Sequence, residues 1–515
     1  MKKGICKKRF HRMEKKAATK GSMDNLIANA GKTNKLLYLS ISQEIATINS
    51  CDDNIPGLLR IVPELKMDVG FILVDLQTSV RSCLETDKAY EKRYHLKNLY
   101  AGLVEGYKLL RGFGNMQSKT IWSRLGIELQ RLVKEDENNK DLLLTLKANY
   151  EQITKKLHEF ELELPAKSDR DLAFHYDDDL SLVYKLTLKT NSEDDAFRTY
   201  INFMDVLNAI MGLSHQVELV LSASGSTLPK CEGENDVLSL IIIHRLASLL
   251  GQHPKLPDVL TEAIELGANR IDALESYKRG VAKIKAGVSR YIKKDIEIPE
   301  FDIINELVDA ALLVNFMMSD MATIMKAFMN CKSEAECPLI LRRLTISRVS
   351  ALSHFVGYGK KESDSMLSRI IRIVPDDNTD LKEEGIAIQK LLILCRRPQD
   401  RNTRALFIHL IDNRSYLSNI PKIIKKVENL DILAELDDSQ LLVKICGRLS
   451  TFLMHVMTSL SEKAHNAKNE SNKRLRDLIN SARNNINDSN RSNAKKRELF
   501  SQMEQLERLI GNDNI

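Results

Sequence analysis

One short pattern occurs twice in this chain, and it limits the folds that the chain can adopt. Gly112-Phe113-Gly114 is followed nine residues on by Ser123-Arg124, and Gly357-Tyr358-Gly359 is followed nine residues on by Ser368-Arg369. The two copies lie 245 positions apart, without a gap. Because self-similarity at a fixed spacing indicates a repeated structural unit, we predict two similar units in one chain.

Other landmarks keep the same order in both copies. Ile55-Pro56 corresponds to Ile298-Pro299 at a spacing that is two positions shorter, and Gly212 roughly corresponds to Gly447. Further downstream, Arg170 and His175 correspond to Arg404 and His409 at a spacing of 234, so the second copy would have lost 11 residues. The charged run at 134–140 is a place where such a deletion would be tolerated, since surface loops accept such changes. The alternative is chance similarity, because apolar residues at helical spacing let many helical segments be aligned. The landmarks keep the same order in both copies, and this favours duplication.

The rest of the chain has the composition and the pattern of a helical protein. Gly (22) and Pro (11) are sparse among 515 residues, which favours helices over turn-rich β architecture. Apolar residues recur at helical spacing, for example through 36–48, 96–110 and 197–213. We therefore predict an all-α protein made of two similar up-down helical bundles.

A flexible segment, Ser222–Pro229, is the best candidate for a domain boundary. After it, 235–250, 257–267 and 268–292 are predicted to form three helices without a counterpart in the first unit. The predicted organisation is a basic N-terminal arm at 1–34, a helical domain at 35–222, a linker plus helical insertion at 223–297, a second helical domain at 298–460, and a polar C-terminal helix or tail at 461–515. The arm could contact nucleic acid and the tail could bind a partner, or both could be solvated segments.

Charge, cysteines and hydropathy restrict the other function classes. The net charge of +6 is mild and does not by itself indicate nucleic-acid binding. Eight cysteines without a C-x-x-C pair indicate free thiols in a reducing cytosol rather than disulfides or zinc. The run Val237–Leu250 is too short to span a bilayer, and the basic N-terminus has no apolar region behind it. We expect a cytoplasmic protein without a membrane segment, a metal or another cofactor.

The candidate for chemistry is an arginine followed, after four residues, by a histidine, and it also occurs twice. Arg170 and His175 form the first copy, and Arg404 and His409 form the second. Histidine accepts and donates protons near neutral pH, while arginine offers a planar donor fork to phosphate. At the start of a helix, Asp171 and His175 would share a face, so the carboxylate could orient the imidazole.

The same residues also have a purely structural interpretation. Arg170 could pair with Asp169 or Asp177 at a helix start, and His175 could be an ordinary helix residue. The acidic run from Asp177 to Asp179 would oppose an RNA phosphate arriving from that side. In the second copy Ala405 stands where the first has Asp171, and apolar neighbours make a core position plausible for His409.

Helices that flank an Arg-polar-x3-His element, with an acidic cluster behind it, resemble the HEPN superfamily, in particular the stand-alone HEPN proteins of bacterial abortive-infection systems. The resemblance covers about 35–221 and, more faintly, 298–460, and the R-x4-H motif is its one specific feature. It implies a helical bundle and a site that forms where two such units meet about a two-fold axis. Arg170, Asp171 and His175 would then be catalytic, with Arg404 and His409 completing the site.

The resemblance further implies a metal-independent endoribonuclease acting in phage defence or in a toxin–antitoxin system. RNA would be cleaved by attack of its 2′-hydroxyl, with histidine as acid or base and arginine on the phosphate, and an antitoxin or another protein would be a further partner. Two copies in one chain resemble the intramolecular pseudo-dimer of type VI CRISPR effector nucleases; the alternative is a homodimer that pairs the first motif with itself. The competing hypothesis is a non-catalytic helical scaffold that binds a protein or nucleic acid.

Overall fold

A computed structural model describes residues 32–37, 39–41, 43–48, 57–112, 117, 119–164, 193–223, 251, 255–292, 299–331, 336–358, 362–397, 432–487, 497, 500, 501, 503 and 504. Within these ranges the regular structure is helical and no strand occurs. The predicted all-α class is therefore confirmed.

Eleven α-helices have bounds within the described residues. They are α1 (Leu58–Glu85), α2 (Ala89–Arg111), α3 (Ile121–Glu135), α4 (Lys140–Glu161), α5 (Glu193–Ala223), α6 (Leu256–Ile292), α7 (Pro299–Met329), α8 (Glu336–Phe355), α9 (Met366–Ile373), α10 (Thr379–Leu394) and α11 (Ile432–Asn487). Helical residues at 32–37, 39–41 and 43–48 precede them and are together called the N-terminal helical segment. We call α1–α5 the first half and α7–α11 the second half.

Each half is built around one central helix. Side chains on every face of α1 are buried between Ile61 and Cys83, and 94% of the apolar stretch Ile303–Met329 of α7 is buried. A helix that is buried all round needs neighbours on all sides. Accordingly, α1 packs against α2, α3 and α5, and α7 packs against α8, α9 and α11.

Polar side chains define where helices begin in both halves. Thr120 precedes α3, and its hydroxyl oxygen accepts a hydrogen bond from the backbone N–H of Ser123 at 3.3 Å. Asn378 precedes α10, and its side-chain oxygen accepts from the N–H of Leu381, also at 3.3 Å. Such caps satisfy backbone donors that have no partner within the helix. They orient α3 and α10 where they turn back onto the bundle.

The first glycine in each copy of the repeated pattern has backbone angles that other residues adopt only with strain. Gly112 follows α2 with φ 69° and ψ 172°, and Gly357 lies just after α8 with φ 65°. We expect Gly112→Ala and Gly357→Ala each to lower the free energy of unfolding by about 1–3 kcal/mol. Gly212→Ala is the matched control, because Gly212 lies inside α5 with open space around its Cα; it should stabilise by about 0.5–1 kcal/mol. Urea unfolding measures all three, and a neutral Gly112→Ala would contradict the strain.

The predicted division of 257–292 into two helices is wrong. A single helix, α6, runs through this region, and Gly267 lies inside it. A Cβ at Gly267 would collide with the Ser319 hydroxyl oxygen and come within 3.1 Å of the Asn315 carbonyl oxygen. The glycine therefore permits close packing of α6 on α7 rather than ending a helix.

The last helix crosses a predicted boundary. α11 is 56 residues long and continues through 460 and 461 to Asn487, with mostly exposed side chains among those described beyond 460. The first predicted insertion helix, 235–250, and residues 1–31 of the predicted arm lie outside the described residues.

Candidate functional site

The five residues that the sequence predicts as catalytic lie outside the described residues. Arg170, Asp171 and His175 belong to 165–192, between α4 and α5, and Arg404 and His409 belong to 398–431, between α10 and α11. Both motifs therefore fall between the fourth and the fifth helix of their half. The structure describes the residues from which each of these segments departs.

The two segments begin beside corresponding helices. Before the first, Glu161 accepts a hydrogen bond from the Tyr107 hydroxyl of α2 at 2.7 Å. Before the second, Arg396 donates to the carbonyl oxygen of Gly357, just after α8, at 2.9 Å, and the Cys395 carbonyl accepts from Arg348 of α8 at 3.3 Å. The described residues just before each motif-bearing segment thus contact the second helix of their half or the glycine that follows it.

A set of ion pairs, most of them buried, joins the two halves, and we call it the inter-half ion pairs. In the first, Arg81 of α1 meets Glu336 at the start of α8: Nε lies 3.1 Å from Oε1, and Nη2 lies 2.5 Å from Oε2. Their side chains are 1% and 0% exposed. The planar guanidinium matches both carboxylate oxygens, an arrangement that fixes orientation as well as position.

A second inter-half ion pair repeats the first with the halves exchanged. Lys326 of α7 lies 2.7 Å from Glu91 near the start of α2. Lys326 stands 245 positions after Arg81, and Glu336 stands 245 positions after Glu91. In both pairs the base therefore comes from the first helix of one half, and the acid from the second helix of the other.

Two more inter-half ion pairs are related by the same shift. Lys97 of α2 lies 3.2 Å from Asp320 of α7, and Arg342 of α8 lies 3.6 Å from Asp75 of α1. Asp320 stands 245 positions after Asp75, and Arg342 stands 245 positions after Lys97. Asp75 has a closer partner in Arg343, at 2.6 Å. The spacing found in the sequence repeat thus also relates the contacts between the halves.

Apolar contacts between the halves follow the same relation. Tyr94 of α2 packs into the core of the second half. Leu339 of α8, 245 positions later, packs with Met67 and Phe71 of α1. Two apolar side chains at corresponding positions therefore each reach into the opposite half.

Burial sets the protonation state of one tyrosine in this interface. Desolvation, reinforced by the Asp320 carboxylate, raises the pKa of Tyr90 well above its usual range. Its hydroxyl therefore stays protonated and donates a hydrogen bond to the Asp320 carboxylate at 2.8 Å. Asp320 thereby accepts hydrogen bonds from both Tyr90 and Lys97, which balances its negative charge within the interface.

A polar cavity of about 230 Å³ lies beside the inter-half ion pairs. Its lining includes Arg81 from α1, Lys326 from α7, and His95 from α2. His95 is 4% exposed, and its Nδ1 has no hydrogen-bond partner among the described residues. Desolvation, together with the charges of Arg343, Arg81 and Lys326, lowers the pKa of His95 to about 3. The imidazole is therefore neutral near pH 7 and poorly suited to act as a general acid.

The lowered pKa of His95 predicts an acid-sensitive fold. Between about pH 3 and the ordinary histidine pKa of about 6.5, this histidine binds a proton in the unfolded chain but not in the folded chain. The free energy of unfolding therefore falls as the pH drops through this window, and above the window this residue causes no loss. At pH 5 the loss from this residue should be about 2 kcal/mol. We expect His95→Ile to shrink the stability difference between pH 7 and pH 5 by that amount, as measured by urea unfolding. His455→Gln, at an exposed position of α11, is the control and should leave the difference unchanged.

Metal-ligating side chains and thiols are a further kind of potential site in the described part of the chain. Among those residues, no group of three or more His, Cys, Asp or Glu side chains is placed to hold a metal ion. Cys83, Cys331, Cys395 and Cys446 are thiols that form no disulfide. Burial raises the pKa values of Cys395 and Cys446, which keeps them protonated and weakly nucleophilic.

Among the described residues, three helices are long and apolar enough to cross a membrane, judged by length and composition. They comprise Ala196–Ala223 of α5, Ile303–Met329 of α7 and Leu436–Lys463 of α11. The buried share is 33% for the first stretch, 94% for the second and 50% for the third. The middle one has its apolar surface covered by the protein itself.

Sequence reasoning missed the residues that join the halves. The available signal was a set of charged residues on otherwise apolar helices at the repeat spacing: Asp75 with Asp320, Arg81 with Lys326, Glu91 with Glu336, and Lys97 with Arg342. A charged residue that recurs in a buried helix is expected to have a partner.

No protein-family model, curated protein or solved structure matches the chain.

Proposed function

We propose that the chain is an internal duplication whose halves form an intramolecular pseudo-dimer. The supporting observation is the reciprocity of the inter-half ion pairs: Arg81–Glu336 with Lys326–Glu91, and Arg342–Asp75 with Lys97–Asp320. In a two-fold interface, residue i contacts j and the copy of j contacts the copy of i. The helix packing agrees, because each pair of helices in close contact within the first half has its counterpart in close contact within the second.

A local hydrogen-bond arrangement supports the same proposal. Before α3, the hydroxyls of Thr120 and Ser123 hydrogen-bond to each other at 3.1 Å, and both donate to the carbonyl oxygen of Gln117. Before α9, Ser365 and Ser368 hydrogen-bond to each other at 2.9 Å and donate to the carbonyl oxygen of Glu362. The three positions in the second set each lie 245 residues after the first.

Under this proposal, α6 belongs to the second half rather than to an insertion. The N-terminal helical segment packs Ile41 against α1 and hydrogen-bonds from Asn34 to Glu336 of α8. Likewise, α6 packs against α7, and its Glu265 pairs with Lys88 just before α2. The N-terminal helical segment thus contacts α1 and α8, and α6 contacts α7 and the start of α2. In both cases the partners are the first helix of the half that follows in the chain and the second helix of the other half.

We further propose that the pseudo-dimer is a metal-independent endoribonuclease of the HEPN type in the cytoplasm, with a role in phage defence or as a toxin. A composite site needs two units related by a two-fold axis, and the reciprocal interface supports that arrangement. Arg170 and His175 would act with Arg404 and His409, each pair contributed by the corresponding segment of its half. His175 would take the 2′-hydroxyl proton as that oxygen attacks the phosphorus, and the protonated imidazole would give it to the 5′-oxygen as the bond between phosphorus and that oxygen breaks, which leaves a 2′,3′-cyclic phosphate. Arg170 would stabilise the charge on the phosphorane, and Asp171 would orient the imidazole.

The test is cleavage of total RNA by the purified chain in the presence of EDTA. We expect RNA to be degraded by the wild-type protein, and to stay intact with His175→Ala and with Arg170→Ala. Expression of the same three proteins should stop growth only for the wild type. Intact RNA and equal growth in every case, including during phage challenge, would reject the ribonuclease.

One observation favours the scaffold alternative. Beyond 460, α11 continues with largely exposed side chains, among them Leu478 at 68% exposure. An exposed helix with apolar side chains is a common surface for a partner. If the chain is a scaffold, His175→Ala combined with His409→Ala should leave phage defence unchanged, whereas truncation after Ser461 should abolish it.

A further inference from the structure

The part of α11 that follows residue 460 carries a large share of the net charge of the chain. We call residues 461–487 the α11 extension. It contains six basic and three acidic side chains, a net charge of +3, compared with +6 for all 515 residues. At 1.5 Å per residue it is about 40 Å long. Every described side chain from 461 to 478 is exposed, so this charge faces the solvent.

Basic and amide side chains line one face of the α11 extension. They recur at alternating spacings of three and four residues, which keeps them on one side of a helix. We call this set the basic seam, and its members are Asn466, Asn469, Lys473, Arg476, Asn480 and Arg483. The seam is about 25 Å long. Its side chains are exposed, apart from that of Arg483, which is partly buried.

The two central cations of the basic seam differ from their neighbours on the same helix. Arg474 pairs with Glu470 at 2.7 Å, and Lys463 pairs with a carboxylate before α10 at 3.0 Å. Among the described residues, Lys473 and Arg476 have no ion-pair partner. Exposed cations that no carboxylate neutralises attract a polyanion. The seam therefore has unspent positive charge at its centre.

The acidic side chains of the α11 extension leave this face open. Glu462 precedes the basic seam, and Glu470 and Asp477 fall outside its spacing. Glu470 is also neutralised by Arg474. From 466 to 483 every position of the seam is thus occupied by an amide or a cation.

The amides of the basic seam favour a partner that offers hydrogen-bonding groups. Asparagine is a weak helix former, and Asn466, Asn469 and Asn480 are exposed, so burial does not offset this disadvantage. An amide can both donate and accept hydrogen bonds. Arg, Lys and Asn side chains supply many of the contacts that proteins make with phosphate and sugar oxygens. The seam has the composition of such a surface.

We propose that the basic seam binds the sugar–phosphate backbone of a nucleic-acid duplex. Lys473 and Arg476 bind phosphates, and the flanking amides bind phosphate and sugar oxygens. The α11 extension contains no Phe, Tyr or Trp, so it has no aromatic ring on which the bases of a single strand could stack. This favours a duplex, which presents its backbone outward. The seam is separate from the motifs around His175 and His409, and the proposal stands whether or not the chain cleaves RNA.

Fluorescence anisotropy with the full chain tests the proposal. All proteins carry His175→Ala, so that the proposed ribonuclease does not consume the RNA. The labelled ligands are a short RNA duplex, a DNA duplex of the same sequence, one strand of that RNA, and polyglutamate. The variant Lys473→Gln/Arg476→Gln removes both unpaired cations and keeps residues that favour a helix. Loss of two phosphate contacts should weaken duplex binding roughly 10–100-fold near 100 mM salt, and should reduce the slope of log K against log salt by about 2.

The matched control is Lys463→Gln/Arg474→Gln, which removes two cations from the same extension but from outside the basic seam. We expect it to weaken binding by less than about threefold and to leave the salt slope unchanged. Equal losses for the two double variants would overturn the proposal. So would a duplex affinity no higher than that for single-stranded RNA or polyglutamate, which is the result expected of an acidic protein partner. The RNA and DNA duplexes distinguish the two sources of the same backbone chemistry, and tight, seam-dependent binding of either one supports the proposal.

The salt dependence of the unsubstituted seam is a second measurement, which does not depend on how the variants fold. A slope of at least about 2 in magnitude is expected for duplex binding, and a slope near zero rules the proposal out. Circular dichroism verifies that both double variants keep their helix content. Since anisotropy reports binding without cleavage, failure of the basic seam and failure of the ribonuclease are distinguishable.

Discussion

Replacing Glu336 by alanine is expected to lower the free energy of unfolding by about 3 kcal/mol. The variant removes the partner of Nε and Nη2 of Arg81, a guanidinium that is only 1% exposed, and leaves Glu85 as its remaining carboxylate. It also removes the acceptor of the buried Asn34 amide. A buried guanidinium that loses one of its two carboxylate partners is too little exposed for water to solvate it in their place.

The reciprocal variant Glu91→Ala is the matched comparison. Lys326 is 25% exposed, so water can solvate its ammonium group when the carboxylate is gone. We expect a loss of about 1 kcal/mol, close to the value of a partly exposed pair. Urea unfolding of both variants, together with the double replacement Arg81→Met/Glu336→Leu, separates the effects: the double replacement should recover most of the loss. Equal losses for Glu336→Ala and Glu91→Ala would contradict the role of burial.

Replacing His175 by alanine is expected to slow RNA cleavage by about 10²–10⁴-fold, the usual contribution of a general acid or base. We expect a loss of less than about tenfold for His409→Ala, because Ala405 stands where the first motif has Asp171, the carboxylate proposed to orient His175. Initial rates on a labelled RNA oligonucleotide, at enzyme concentrations that keep the chain in one oligomeric state, compare the two variants directly.

Two controls make this comparison specific. His455→Ala changes an exposed histidine of α11 and should leave the rate unchanged. Added EDTA should not change any rate, since the proposed mechanism uses no metal. Equal losses for His175→Ala and His409→Ala would show that the two motifs contribute equally and would remove the predicted asymmetry.

The sequence predicts the helical class well because apolar spacing is a local property. The helical spacing at 96–110 and 197–213 falls within α2 and α5. It fails where tertiary packing decides. Pro63 lies inside α1, although proline usually ends a helix, and Gly267 lies inside α6, where the neighbouring helix needs the space.

The contacts between the halves could not be predicted from periodicity. A buried arginine such as Arg81 occupies a helical position that the pattern alone would give to an apolar residue, and its partner is 255 positions away in the chain. Sequence spacing identifies residues that correspond to each other, such as Arg81 and Lys326, but not residues that touch. The motif around His175 is a short local pattern, so its residue types can be read from the sequence. The residues that pack around it in space cannot be read in the same way.

The buried central helix of the second half has a consequence for biosynthesis. Ile303–Met329 of α7 has the hydropathy of a membrane span, and α11, which packs along it in the folded protein, begins only at Ile432. At a synthesis rate of about 5–20 residues per second, roughly 5–20 s separate the two helices on the ribosome. During that interval α6 can cover one side of α7, while the side meant for α11 stays exposed. The order of translation therefore leaves this segment open to aggregation or mistargeting until α11 has been made.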